Sequence, residues 1–325
     1  MEETTNMSCN HDTAHGASEL WRSWGWLRGE LARAEDEGYF GPASAIWRIH
    51  REMVLGLGLG RAVLMQLAHP WVAKAVADHS GFQNAPFDRL FGTIAAAELL
   101  VFGSRAQADS AAAHIRTVHQ RIHGTVDEDV GRWRKGTPYS AEDPDALLWV
   151  LVTSSDTALF IYQRCFGRLD DDVVRAYLKD AARVGAMVGV VPSSVPPDRV
   201  ELEQYVETML ADGTVAVGGH ARTIAAALAH PSVPWQERIV SWPYRAATWS
   251  AATMLLPAPL RMQYGSILDP RHPHLCRAGG LFGRAMLRRL SVRWRRDPIA
   301  GIAIDRVGRD HRDSTRPPRT HYQPG

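Results

Sequence analysis

Paired cysteine is missing from this chain. Cys9, Cys165 and Cys276 are far apart and form no C-x-x-C, so neither a disulfide framework nor a cysteine-based zinc site is expected. Lysine is scarce too: only Lys74, Lys135 and Lys179 stand among 37 basic residues. The positive charge is therefore almost all guanidinium, which suits pairing with carboxylates and propionates. Net charge is only +2, which calls for no nucleic-acid partner. No apolar run of about 18 residues is free of charge, so no transmembrane segment is expected. The nearest, 53 to 68, is broken by Arg61 and three glycines. The polar N-terminus lacks the basic and apolar regions of a secretory signal, which predicts a cytoplasmic protein. The G-x-S-x-G, H-E-x-x-H and Walker A patterns are also absent. No glutamate has a histidine three residues on, so the inward Glu-x-x-His pairs of a di-iron bundle are not available.

Helix-forming sequence fills most of what remains. Residues 52 to 125 are rich in alanine and leucine at helical spacing, with little strand-like alternation. Further helices are expected at 146–166, 170–189, 200–211, 214–230, 237–256 and 260–268. Asp143 or Ser140 is placed to cap the helix that Pro144 begins. The segments 125–146 and 190–197 read as loops. Hydrophobic residues make up 45% of 325, enough for a core that encloses a cofactor. The predicted fold is all-α: one large helical bundle spanning 18–300, with a disordered polar N-terminus at 1–17 and a polar tail at 301–325. Trp21, Trp24, Trp26 and Trp47 lie in an amphipathic stretch that covers the core. A basic stretch, 284 to 296, reads as a solvated helix face or tail.

Glycines 56, 58 and 60 are spaced G-x-G-x-G, not G-x-G-x-x-G, and no strand precedes them. They predict close helix packing rather than a phosphate loop. The histidines carry more chemistry, because imidazole and guanidinium are costly to bury without a use. His69 precedes Pro70, which starts or kinks a helix. Its alternatives are packing and catalysis. His119 and His123 are four apart, so on one helix they share a face. His119 falls beside Ile115, Val118 and Ile122 on the apolar side. His123 adjoins Gly124, where the helix ends and a cation offsets the dipole. Arg89 and Thr93, also four apart, present a cation and a hydroxyl together within DRLFGTIAAA.

These blocks come in a distinctive order: MQLAHPWVAKAVADHSGF, DRLFGT, VFGS, IRTVHQRIHG, YSAEDPDALLWV, YQRCFGRL, DAARVGAMVGV, YVETML and LLPAPLRMQYG. From about 45 to 268 the chain resembles the mpaB/rubber-oxygenase catalytic-domain family, which includes the latex-clearing proteins. The resemblance implies a globin-like bundle around a haem pocket holding haem b, whose iron is bound by a proximal histidine. On that basis His119 is the metal ligand and His123 the second candidate. Arg89 and Thr93 match the pair near the distal face, where Arg89 serves either bound oxygen or a haem propionate. Gly92 stands where some rubber oxygenases carry a distal lysine. The activity implied is a haem b-dependent oxygenase or oxidase that uses O2 on an apolar small molecule, such as a lipid, an isoprenoid or a natural-product intermediate, with an electron donor as a further partner. Two alternatives remain: a non-catalytic haem or hydrophobic-ligand carrier, and a peroxide-using haem enzyme in which Arg89 and His69 act together.

Overall fold

A computed structural model describes residues 25–33, 36–79, 86–229, 252–265, 291 and 295–314, with the backbone alone for 86–91 and 308–314. The readings of residues 1–17, of Trp21 and Trp24, of most of the expected 237–256 helix and of much of the basic stretch fall outside them. The described chain is a helical bundle with one small sheet. A helical segment at 25–32 (α1) is followed by α2 (Ala45–His50), a 3-10 segment (Met53–Gly58) and α3 (Leu59–Leu67). Next come α4 (Pro70–His79), α5 (Pro86–Phe102) and α6 (Arg105–His119). Strands β1 (His123–Thr125) and β2 (Pro138–Ser140) pair antiparallel. The chain continues through α7 (Pro144–Phe166), α8 (Asp171–Met187), α9 (Arg199–Ala211), α10 (Gly219–Ala229), α11 (Ala258–Tyr264) and α12 (Pro298–Ser314).

Local chemistry explains the boundaries. Asp143 caps α7 by accepting from the amides of Asp145 and Ala146, and Pro144 occupies the first turn, where its missing N–H costs nothing. Ser140 instead accepts from the Glu142 amide in the preceding turn. Gly167, at φ 107°, ends α7 in a conformation that only glycine adopts easily. Ser104 and Gln107 form a reciprocal capping box at the start of α6.

Helix α7 is the spine. It packs on the 3-10 segment, α3, α8 and α9. By length and composition it is apolar enough to cross a membrane, yet over half of that stretch is buried inside the protein, as a core helix requires. Large aromatics fill the space around it, and three of their buried polar tips donate to carbonyls. The Trp149 indole donates to the Met65 oxygen at 3.0 Å, Trp47 to Val101 at 3.0 Å, and the Tyr264 hydroxyl to Leu64 at 2.8 Å. Of the glycine run, Gly58 has the close packing expected. A Cβ there would meet Thr157 and Ile161 at 2.7 Å.

Arg61 pins three elements together. Its guanidinium reaches Asp156 at 2.7 Å, the Thr157 hydroxyl at 2.5 Å and the Leu255 carbonyl at 2.9 Å. It also lies over the Phe160 ring.

Two expectations need correction. The polar tail expected from 301 is helical as far as Ser314, and Ile299, Ala300, Ala303 and Val307 insert into the core. Arg306 is buried there and donates to the Phe102 and Leu31 carbonyls. The apolar face is short and made partly of alanine, so the charges between its members masked it. The segments around 125 and 140, read as helix end and loop, form the two strands. Three residues on each side are too few for alternation to register.

Candidate active site

Helices α5 and α6 pack against each other and are joined only by Gly103 and Ser104, which makes them an antiparallel hairpin. Arg89 lies 14 residues before Gly103 and His119 lies 15 after Ser104. At about 1.5 Å per residue, both positions sit roughly 21–23 Å from the turn, at the open end of the hairpin. Thr93 is one turn closer to the turn and is exposed. The hairpin therefore brings the expected arginine, threonine and histidine positions to one end. Arg89 is described by its backbone alone.

His119 ends α6, half-buried, with its Nδ1 shielded from solvent. A tight turn follows, in which the Ile122 amide donates to the His119 carbonyl at 3.0 Å. His123 is thus not on the helix with His119. It is exposed on β1, and its carbonyl accepts from the Nε2 of His79, the last residue of α4, at 3.2 Å.

A small apolar cluster of Ile122, Val126 and Tyr139 lies beneath this turn. Val118, next to His119, and Trp71, two residues after His69, both pack on it. The cluster links the two histidine neighbourhoods. His69 itself is only 1% exposed. Its ring is flanked by Trp71 and Trp133, with centroids 5.9 and 5.8 Å away, and the two indoles lie 4.5 Å apart. Burial, and then the positive charge of Arg132, push its pKa down to about 4, so the imidazole is neutral at pH 7. Its Nδ1 and the Trp71 Nε1 are buried without a hydrogen-bond partner among the described residues. Trp133 holds the far wall by donating to the Thr214 carbonyl at 2.9 Å.

Charged side chains fix the outer rim. Lys74 bridges Asp78 at 2.6 Å and Asp127 at 3.0 Å, Tyr139 donates to Asp78 at 2.7 Å, and His220 meets Asp127 at 2.8 Å. Burial opposes ionisation of Asp78, but Lys74 and Tyr139 outweigh it and hold its carboxyl below the usual range. The network ties α4, the strands and α10 together.

Sequence reasoning passed over two features. The aromatic walls around His69 come from residues more than 60 positions apart, and nothing in the local sequence joins them. Glu98 is the second. It is the lone carboxylate in AAAELLVF, a visible signal. Burial, and then the charge of Asp297, push it up to about 8. It lies nine residues after Arg89, two and a half turns on, and so on the opposite side of α5.

Among the described residues, no group of three or more histidine, cysteine or acidic side chains is arranged to hold a bare metal ion. A prosthetic group that needs a single protein ligand is a different requirement, and neutral imidazole meets it.

The family model for the ER-bound oxygenase mpaB/B'/rubber oxygenase catalytic domain matches residues 47–289, about three-quarters of the chain. The chain belongs to this family. Its match takes in every candidate residue at the open end of the α5–α6 hairpin. Two mycobacterial proteins are also similar: uncharacterized protein Mb2261 of Mycobacterium bovis and uncharacterized protein Rv2237 of Mycobacterium tuberculosis. Each is 27% identical over 189 residues, which cover 56% of this chain and 70% of the relative. No solved structure matches. Gly92 is exposed, and an added Cβ would meet none of the described residues within 4 Å.

Proposed function

We propose that the protein is a haem b-dependent oxygenase acting on an apolar small molecule with O2. The observation that carries this reading is the α5–α6 hairpin, which brings the positions of Arg89, Thr93 and His119 to one end of an oxygenase-family domain. The residues fit a haem: a single imidazole suffices as protein ligand, and the neighbouring aromatic cage keeps His69 neutral. His119 would hold the group, with His123 as second candidate; the exposure of His123 on β1 favours His119. Bound haem would supply the one-electron and oxygen chemistry that amino-acid side chains lack.

The chain's own residues do the rest. Arg89 supplies a fixed positive charge for a propionate or a developing negative charge. Thr93 adds a hydroxyl that donates and accepts. His69, neutral and buried, presents an Nδ1 with no partner among the described residues, free to take part in a hydrogen bond to a bound molecule. The aromatic cage around it excludes water and favours an apolar guest.

The test is the absorption spectrum of the purified protein, before and after dithionite, with a pyridine haemochromogen assay. The expected result is a b-type spectrum with about one haem per chain, lost in His119→Ala and kept in His123→Ala. O2 uptake with apolar substrates then reads activity. A protein that takes up no haem even when supplied with it would overturn the reading.

A further inference from the structure

A second concave surface lies on α8, away from the histidines. Arg175, Lys179 and Arg183 recur every four residues and form one stripe along the helix. Leu178, Ala182 and Ala186 recur beside them and form an apolar stripe. The loop 192–197, with its prolines and Val195, faces both. Together they enclose a groove of about 590 Å³, within the range of small-ligand sites, about 300–1,000 Å³. No carboxylate lines it. Arg175 pairs with the exposed Asp172, Arg183 lies over the Phe40 ring, and Lys179 makes no ion pair among the described residues.

The groove leads toward the hairpin. Arg116, one turn before His119, donates to the carbonyl of Met187, the residue after Ala186. One end of the groove therefore abuts the last turn of α6.

We propose that this groove binds a single-chain anionic amphiphile of the long-chain carboxylate type. Ala182, Ala186 and the loop prolines, lying over the buried Leu178 and Val195, would hold the chain, and the cationic stripe, Lys179 above all, would hold the carboxylate. Charge complementarity selects the occupant: Lys179, without an ion pair among the described residues, is left for a carboxylate, while an attached chain covers the alanines and prolines beside it. That the bound molecule feeds the site near His119 rests on the oxygenase reading above.

Isothermal titration of the purified protein with palmitate tests it, with haem content measured on the same sample. Saturable binding is expected, with hexadecanol and phosphatidylglycerol vesicles binding far less. Lys179→Glu should weaken palmitate by about tenfold or more, and Ala182→Trp should block it by filling the floor. Lys179→Glu changes an exposed side chain, so its folding is not at issue, and circular dichroism checks Ala182→Trp. Absence of saturable binding, equal affinity in Lys179→Glu, or equal binding of hexadecanol or vesicles would each overturn the proposal. Haem-free protein that still binds palmitate through Lys179 would leave the groove standing and remove the oxygenase reading. Haem-loaded protein that binds none would do the reverse.

Discussion

Glu98 and Arg61 are both buried charges in sequence terms, and the structure treats them oppositely. Arg61 has a full set of partners: Asp156, the Thr157 hydroxyl and the Leu255 carbonyl. Arg61→Ala strands Asp156, and breaking such a pair costs about 3–5 kcal/mol; urea unfolding should show a matching fall in midpoint. Glu98 has an oxygen with no hydrogen-bond partner among the described residues and a nearby Asp297. Its folded pKa of about 8 lies above its ordinary 4.5. Below 4.5 both folded and unfolded states hold the proton, and its contribution to stability is intact. Between 4.5 and 8 only the unfolded chain releases it, so stability is lost as pH rises. Glu98→Gln should therefore stabilise the protein, and more at pH 8 than at pH 5; an equal effect at both would discount the burial. His69 runs the other way. Its folded pKa of about 4 lies below 6.5, so its contribution is present above 6.5 and lost as pH falls toward 4. His69→Phe should flatten that acid limb in thermal melts.

At the scale of elements, the capping box of α6 and the contact of the 3-10 segment with α7 carry the hairpin and the spine. Ser104→Ala removes one half of the box and should cost about 1 kcal/mol, read as a lower melting temperature. Gly58→Ala would drive a Cβ into Thr157 and Ile161, and overpacking of this kind costs about 1–3 kcal/mol. Gly56→Ala is the control, since none of the described residues lies within 4 Å of a Cβ there. Caps of this kind are legible in sequence because they are local. Asp143, Pro144 and Gly167 delimit α7 with no help from the rest of the molecule. The strands at 123–125 and 138–140 are not legible, because pairing across the intervening loop, and not the three-residue runs themselves, makes them strands.

Across the whole molecule, α12 (Pro298–Ser314) closes the bundle from the C-terminal end of the described chain. It adds Ile299, Ala300, Ala303 and Val307 to the core and places Arg306 on the carbonyls of Phe102 and Leu31. A chain truncated after 296 should expose the end of α5, bind a dye for apolar surface and lose a single cooperative unfolding transition. Its stripe was hard to read because alanine marks a buried face weakly and the charges RDHRD follow directly.

The all-α class, most helix positions, the caps and the family resemblance were set by the sequence alone, since periodicity, capping and motif order are properties of neighbouring residues. Only the tertiary structure decided which histidines differ in environment. It enclosed His69 between Trp71 and Trp133, ended α6 at His119, and left His123 exposed on a strand. Burial and charge at a site come from elements far apart in the chain, and they exist only once those elements have packed.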